Sequence, residues 1–448
     1  MKVIYKYTIN LALVLVMLPV ATAHGQEMYD SITPMYNISF TRMDVNYYAE
    51  QSFDIGGTYR KYYCQHPTVK TFVNNDGTVT VCSWDDEKKR IYIYEYSMHL
   101  NEIKTLNFDY KSGILGAFTK DDDGNYYFFY AAKTNRGRDK NMTVIKYNKN
   151  GQKMKQYNLK ALAPNSFNGV KIPFDAGTCR LEISGSMLAV YFAREMFNGH
   201  QASYGFILDR DNFKRIDNGQ VKNNKLRIED INVMPYVSHS FNQFILPIKD
   251  GFLFADHGDA YPRSFCFNVF INGSRTKRLR AFTFPGWRGE NETTAQMGGV
   301  AKTSTGYIFA GTYGQMIDNH PRNLFILTFD DNLSACSDPV YLTRYTADDE
   351  NAGSPKIVAL DANRYLLLWE KFNNRKYDST RMLVINEKGE ALSDEVELKN
   401  VRLNMNDVLR YNPHNGKVYW AINESRKSLN SRVKDTNAIT VYALSIKN

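Results

Sequence analysis

A short polar turn between two apolar runs recurs about every 55 residues, and this repeat constrains the fold more than any other feature of the chain. Several of these turns contain Asp-Gly, as in Asn74-Asn75-Asp76-Gly77 and Lys249-Asp250-Gly251. An Asp-Gly pair between apolar runs is a strong β-hairpin signal, because glycine tolerates a positive φ. The seven turns of this kind span residues 74–77, 121–124, 184–186, 249–251, 304–306, 361–363 and 413–416.

Each turn belongs to a longer unit that contains a third run of Tyr, Ile and Val residues. In several units a fourth, weaker run follows, for example at 152–157 and 391–398. Seven units of four strands predict an all-β fold, a seven-bladed β-propeller with four-stranded antiparallel blades. Residues 37–45 precede the first unit, so we expect them to pair as a strand in the seventh blade and close the ring. A flexible N-terminal arm is the alternative.

The N-terminus has the pattern of a secretory signal. Lys2 and Lys6 precede a short apolar run, Leu11–Val20, which ends at the small residues Ala21-Thr22-Ala23. The run is short for a membrane span, although an uncleaved anchor is the alternative. We therefore predict a signal peptide at 1–23 and a single propeller domain at 24–448. The mature chain is expected to be secreted or periplasmic, with no membrane span.

The net charge favours an anionic partner. The formal charge is +9, and it becomes +7 when the two lysines of the signal are removed. This mild excess suits anionic glycans or an anionic surface, whereas export disfavours nucleic acid as a partner. The expected partner is an extracellular polysaccharide or peptide.

The propeller prediction also gives the place of a binding site. In each hairpin, the start of the first strand and the end of the second lie at the same end of the ring, about 4.8 Å apart. Polar residues at these two strand ends should line one face of the ring. Arg180 is one residue at such a strand end. The predicted ligand-binding residues are Arg194, His200, Asn242, Asp259, Arg263, Gln296, Tyr313, Lys356 and Glu370.

The fourth unit has the densest set of polar side chains. His239 and His257 are 18 residues apart, at corresponding ends of one hairpin, so we expect their rings to face a shared ligand. Asp256 or Asp259 could orient an imidazole, and Tyr261 could donate a proton. The alternative is that these side chains cap strand ends and satisfy backbone groups. We predict neither a metal nor a cofactor, since the cysteines have no zinc-ribbon spacing; zinc held by His239, His257 and an Asp is the alternative.

Residues 37–448 resemble secreted bacterial seven-bladed β-propellers, and the hairpin with two histidines is similar to that of propeller-type polysaccharide lyases of the ulvan lyase kind. The resemblance implies that His239 and His257 act as acid and base, and that His, Tyr and Arg side chains together remove the C5 proton of a uronate. It also implies that Arg194 or Arg263 holds the uronate carboxylate.

The sequence departs from that family in the next unit. It has Gln296 and Tyr313 there instead of a clear Tyr and Arg pair. Two hypotheses follow. The first is an exported propeller that binds a polar, preferentially anionic glycan or peptide. The alternative is a polysaccharide lyase that uses the histidine pair, so the sequence leaves open whether the protein is an enzyme.

Overall fold

The computed structural model describes residues 39–46, 69–85, 90–109, 114–131, 141–160, 170, 172–174, 177–195, 201–217, 237–261, 263–284, 295–314, 321–346, 350–373, 376–404, 407–424 and 438–446. Over these ranges the chain forms strands, turns and bends. They contain no helix, and hence none that could cross a membrane.

The described strands form five sheets of four antiparallel strands and one sheet of eight. The first two four-stranded sheets contain β2 (Val69–Val73), β3 (Val79–Asp85), β4 (Arg90–Tyr96) and β5 (Glu102–Asp109), then β6 (Ile114–Lys120), β7 (Tyr126–Ala131), β8 (Asn141–Tyr147) and β9 (Lys153–Lys160). Two others contain β18 (Gln296–Lys302), β19 (Gly306–Tyr313), β20 (Asn323–Asp330) and β21 (Val340–Tyr341), then β22 (Glu350–Ala359), β23 (Tyr365–Asn373), β24 (Lys376–Ile385) and β25 (Val396–Leu398).

The eight-stranded sheet is two groups of strands joined at one point. The groups are β10 (Ile172–Pro173), β11 (Cys179–Ser184), β12 (Met187–Glu195) and β13 (Gln201–Asp209), then β14 (Ser238–Ile248), β15 (Gly251–Tyr261), β16 (Arg263–Ile271) and β17 (Ser274–Thr283). A single residue pair, Ala202 with Ser238, connects β13 to β14. Each group therefore corresponds to one repeat unit of the sequence.

The remaining sheet combines the two ends of the described chain. It contains β26 (Arg410–Asn412), β27 (Lys417–Glu424), β28 (Ala438–Ser445) and β1 (Ser39–Asn46). Strand β1 pairs with β28 antiparallel over eight residues, from Ser39 opposite Ser445 to Asn46 opposite Ala438. The prediction that the segment before the first unit pairs in the last sheet is confirmed. This pairing covers an edge of β28 that would otherwise be open.

The first strands of the repeat units contact one another in a closed order. Each of β2, β6, β11, β14, β18, β22 and β26 contacts the next, and β26 contacts β2. Apolar side chains fill the space between neighbouring sheets. At the junction of the last and first sheets, Val69 and Val81 pack with Tyr419 and Val441.

Burial decreases from the inner strands to the outer ones. Every residue of β19 is buried, whereas most of β5 and β9 is exposed. Strands that are covered on both faces are nearly continuous apolar runs, and this explains why the second run of each unit was clear in the sequence. The predicted turns all lie between paired antiparallel strands.

Gly298 permits two first strands to approach closely. It forms a bulge in β18 between the pairs Met297–Gly311 and Gly299–Ala310. A Cβ atom at this position would lie 2.8 Å from the carbonyl carbon and oxygen of Pro355 in β22.

The Gly298→Ala variant should therefore force β18 and β22 apart and lower the free energy of unfolding by about 1–3 kcal/mol. Urea denaturation followed by circular dichroism measures this loss. Gly185→Asn is the control, because nothing lies within 4 Å of its Cβ position and Asn tolerates the positive φ of 55°. Equal stabilities of the two variants would contradict the proposed close approach.

Candidate functional site: a cluster of cations at the first strands

Asp407, which precedes β26, contacts two other first strands, β2 and β22. Its carboxylate Oδ2 accepts a hydrogen bond from the backbone N–H of Thr71 in β2 at 2.7 Å, and Oδ1 lies 3.9 Å from Lys70 Nζ. Its backbone carbonyl accepts a hydrogen bond from Lys356 Nζ of β22 at 2.8 Å. Asp407 is only 2% exposed. Two lysines from different sheets thus converge on one aspartate.

Arg180 of β11 adds a third cation to this cluster. Its Nε donates to the backbone carbonyl of Gln243 at 2.8 Å, and its guanidinium lies over the ring of Phe244, with 4.6 Å between Cζ and the ring centroid. Its positive charge disfavours the ammonium groups of Lys70 and Lys356 and so lowers the pKa of both lysines. We call Lys70, Arg180, Lys356 and Asp407 the axial cluster.

Burial makes the charged forms of the axial cluster costly. Desolvation, followed by the charge of Arg180, lowers the pKa of both Lys70 and Lys356 to about 7. Desolvation also lowers the pKa of Arg180, to about 10. The nearby carboxylate of Asp407 opposes these shifts but does not cancel them. Burial and mutual repulsion therefore both disfavour the charged forms of these three side chains.

Arg410 lies beside the axial cluster and has its own carboxylate. Its Nη2 atom is 3.1 Å from Glu182 Oε1, and its Nε donates to the carbonyl of Thr71 at 3.2 Å. Burial tends to lower the pKa of Arg410, but Glu182 and Asp407 together raise it. The charge of this arginine is therefore largely balanced inside the protein.

Equivalent positions in the repeat bring the cations together. Lys70 and Arg180 are each the second residue of a first strand, and Lys356 follows a bulge in β22 between the pairs Gly353–Glu370 and Lys356–Leu368. The polar residues that the sequence analysis placed at strand ends included Arg180 and Lys356 but not Lys70 or Asp407. A comparison of corresponding positions between units could have found Lys70.

Gln296 and Glu370 come together around Ser354. Gln296 Oε1 accepts the backbone N–H of Ser354 at 2.9 Å, and Glu370 Oε2 accepts the Ser354 hydroxyl at 2.9 Å. Glu370 Oε1 also accepts from Arg402 Nε at 2.7 Å and from Leu403 N at 3.0 Å. These two predicted ligand-binding residues therefore use their polar atoms to join β18, β22 and the segment after β25.

His257 lies in an aromatic environment. It is fully buried, and its ring centroid is 5.3 Å from that of Phe265 and 5.1 Å from that of Phe284. Desolvation, and then the charge of Arg263, lower its pKa to about 3. The imidazole is therefore neutral at physiological pH.

The strand register does not place the two histidines opposite each other. Between the pairs Ser238–Tyr261 and Ser240–Gly258, the residue His239 faces the stretch 259–260, and its φ is +51°. His239 Nδ1 is 3.0 Å from the hydroxyl of Ser238. Irregular pairing in β14 therefore offsets the two histidines along the hairpin, and their shared role in a site stays a prediction.

Other residues of the predicted site contact the protein itself. Arg263 forms a buried ion pair with Asp259 across the β15–β16 hairpin. Arg194 is fully buried and donates to the carbonyls of Ala202 and Ser203.

The remaining predicted residues fall into two groups. The ring of Tyr313 packs edge-on against Phe282 at 4.7 Å, and Asn242 is buried. His200 and the side chain of Tyr261 lie outside the described residues.

Across the part of the chain that the structure describes, no group of three His, Cys, Asp or Glu side chains could hold a metal ion.

Asp256 forms a second buried network, between β12 and β15. Its carboxylate accepts hydrogen bonds from the hydroxyl of Tyr191 at 2.6 Å and from that of Ser240 at 2.7 Å. Desolvation raises the pKa of Asp256 to about 7, although these donors oppose the rise. The neighbouring Gln243 Oε1 accepts the backbone N–H of Thr178 at 2.8 Å. The network thus connects the two halves of the eight-stranded sheet.

An open groove lies at the other end of the strands. The turn at 184–186, together with Lys249, Asp250 and Asn272, lines a volume of about 500 Å³. None of the predicted site residues that the structure describes lines it.

Comparisons with known proteins show no sequence family for this chain. No family model matches, and no curated protein matches. Among solved structures, polysaccharide lyase Uly1 is 10% identical, with a TM-score of 0.44, over 77% of this chain and 93% of the lyase. The α-L-arabinanase of Penicillium chrysogenum is 11% identical, with a TM-score of 0.41, over 75% of this chain and 97% of the arabinanase.

A mutant of the Synechocystis apocarotenoid oxygenase has a similar score. It is 10% identical, with a TM-score of 0.41, over 78% of this chain and 77% of the oxygenase. At these similarities, the function of this chain has to be inferred from its own residues.

Proposed function

We propose that the protein is an exported, seven-bladed β-propeller that binds an anionic glycan or peptide at the end of the ring where the axial cluster lies. The closed order of seven first strands and the pairing of β1 with β28 support seven blades in one domain at 24–448. The charged start, apolar run and small-residue end of residues 1–23 support export to the periplasm or the medium.

The convergence of Lys70, Arg180 and Lys356 on Asp407 carries this proposal. Lys70 Nζ lies 3.9 Å from the carboxylate of Asp407, Lys356 Nζ donates to the backbone carbonyl of Asp407, and the charge of Arg180 acts on both lysines. An anionic group of a ligand would be attracted to these three cations. Carboxylated or sulfated glycans and acidic peptides have such groups, and the net positive charge of the chain would favour their approach.

Binding without turnover is favoured over lyase chemistry. A lyase would need His239 and His257 to act on the same sugar. His257 is neutral and packs against Phe265 and Phe284, and the register sets His239 opposite 259–260 rather than opposite His257. Unsaturated uronate products, formed from any uronate polysaccharide and detected by absorbance, would contradict this proposal and support the alternative.

Lys356→Met should weaken binding of an anionic ligand by about 1.5–3 kcal/mol, because it removes a charged hydrogen-bond donor. The measurement is calorimetric titration with a panel of uronate oligosaccharides, sulfated oligosaccharides and acidic peptides. Lys388→Met is the matched control. It makes the same change of charge at an exposed turn of the same sheet.

The two variants distinguish the outcomes. Loss of affinity in Lys356→Met but not in Lys388→Met supports binding at the axial cluster. If no member of the panel binds the wild-type protein, or if both variants bind as tightly as the wild type, the proposed function is wrong.

A further inference from the structure

Two neighbouring sheets expose an apolar residue at the same point of their outermost strand. A register shift between β4 and β5 leaves Ile103 in a bulge, where it is 58% exposed. The same shift between β8 and β9 leaves Met154 in a bulge, where it is 54% exposed. Each of these is the second residue of the fourth strand of its sheet. Their exposure is therefore a repeated feature of the outer rim, unlike the single apolar residues scattered over most protein surfaces.

The bulge itself does not require an apolar residue. In the fourth repeat unit, β17 has the same bulge against β16, and the residue there is Thr276. In all three units the next residue is a lysine that donates to a backbone carbonyl in the following unit, namely Lys104 to Lys149, Lys155 to Asp211 and Lys277 to Asp331. Because threonine satisfies the same local structure, packing within the ring does not explain why Ile103 and Met154 are apolar.

Lysines lie around the two apolar residues. The segments 102–105 and 148–156 contain four lysines and one glutamate, which gives these segments a net charge of +3. The acceptors of three of the lysines are uncharged: Lys104 and Lys155 donate to carbonyl groups, and Lys153 donates to Gln156 Oε1 at 2.6 Å. These hydrogen bonds leave the positive charge at the surface. The rim patch is defined as Ile103, Met154, Lys104, Lys149, Lys153 and Lys155.

The rim patch lies at the end of the ring opposite to the axial cluster. Strands β2 to β5 alternate in direction, so β5 begins at the end of the sheet where β2 finishes. Lys70 is near the start of β2, whereas Ile103 is near the start of β5. Lys104 Nζ is 2.7 Å from the carbonyl oxygen of Lys149, so the start of β5 reaches the turn that precedes β9. The patch therefore spans two adjacent units on one side of the ring.

We propose that the rim patch binds the surface of a lipid bilayer that carries anionic headgroups. This inference goes beyond the proposed function and does not rest on it. Ile103 and Met154 insert at the boundary between headgroups and acyl chains, while the lysines lie among the headgroups. Each lysine near such a surface raises the affinity about fivefold. In this orientation the end of the ring with the axial cluster stays open to a ligand.

The composition of the patch favours a bilayer over a protein partner. A stable protein interface buries about 800 Å² on each side and has a closely packed apolar core. Lysine is depleted in such interfaces, yet it supplies four of the six residues of the rim patch. A bilayer accepts protruding side chains without a matching shape, and anionic headgroups complement the charge of the patch.

The test is flotation of the mature full-length chain with vesicles at an ionic strength of about 0.1 M. The probes are phosphatidylcholine vesicles with and without one third phosphatidylglycerol. The wild type should bind the anionic vesicles at least tenfold more tightly than the neutral ones. Salt at about 0.5 M should remove most of that difference, because it screens the lysines.

Two double variants separate the contributions of the apolar and charged residues. Ile103→Thr with Met154→Thr should lower the affinity for anionic vesicles at least tenfold, because both inserted side chains are lost. Thr276 shows that threonine is compatible with this bulge. Lys149→Gln with Lys153→Gln should also lower the affinity at least tenfold, since two charges are removed.

The controls remove side chains of the same kinds from other sheets. Val340 of β21 is 41% exposed, and Lys388 lies in an exposed turn of the sixth unit. Val340→Thr and Lys388→Gln should each bind vesicles as the wild type does. Circular dichroism confirms that each variant is folded.

Four results would overturn the inference. They are no binding to the anionic vesicles, equal binding to both kinds of vesicle, wild-type affinity in either double variant, and loss of vesicle binding in Lys356→Met, which would place the lipid contact at the axial cluster. If the wild type self-associates without binding vesicles and the threonine variant does not self-associate, the patch is an interface between copies of the chain and the inference is also wrong. The titrations with glycans and peptides test the proposed function separately, so either proposal can fail alone.

Discussion

Asp407→Ala is expected to lower the free energy of unfolding by about 3–5 kcal/mol, because removing one partner from a buried charged network leaves the others uncompensated. The variant loses the acceptor of the Thr71 backbone N–H and the carboxylate that faces Lys70. Because Asp407 precedes β26 and these partners are in β2, the contact that joins the last sheet to the first should weaken.

Chemical denaturation at pH 7 measures this effect, with Asp394→Ala as the control. Asp394 is exposed, so its loss should change stability by less than about 0.5 kcal/mol. Asp407→Asn retains an oxygen for Thr71 but no charge, so it should lie between the two. If Asp407→Ala is as stable as Asp394→Ala, the aspartate does not organise the cluster.

Deletion of residues 27–46 is expected to destabilise the protein by roughly 4–8 kcal/mol, since it removes the eight-residue pairing of β1 with β28 and its ladder of hydrogen bonds. The deletion would also expose the edge of β28, a site at which another chain could pair. We therefore expect both a lower thermal midpoint and concentration-dependent association.

Thermal unfolding and light scattering measure these two effects. A chain that lacks only residues 27–37 is the control, because it keeps all of Ser39–Asn46. That shorter deletion should leave the midpoint close to that of the full mature chain. An unchanged midpoint after removal of 27–46 would show that β1 contributes little to the ring.

The repeat could be predicted because its signals are local. The turns at 74–77 and 249–251 contain residues that tolerate the required backbone angles, so the adjoining runs were recognised as hairpins. The seventh first strand was harder to predict, because it has only three residues, Arg410–Asn412. Asp407, which lies before this strand, contacts another sheet.

The site could be predicted only in part. The argument from strand ends selected Arg180 and Lys356, because both were expected where a first strand begins, at one end of the ring. It missed Lys70 and Asp407, since nothing near either residue shows that their strands come together. It also placed His239 and His257 at corresponding ends of one hairpin, because the irregular register of β14 leaves no clear mark in the sequence.

Local backbone chemistry was enough to establish the strands, their turns and the repeat unit, since turn residues and apolar runs act on their immediate neighbours. Packing of the sheets decided which cations lie near one another. Closing the ring brings β2, β11 and β22 together, although Lys70 and Lys356 are 286 residues apart in the chain. Burial then lowers the pKa of both lysines, a property that neither residue has in an isolated strand.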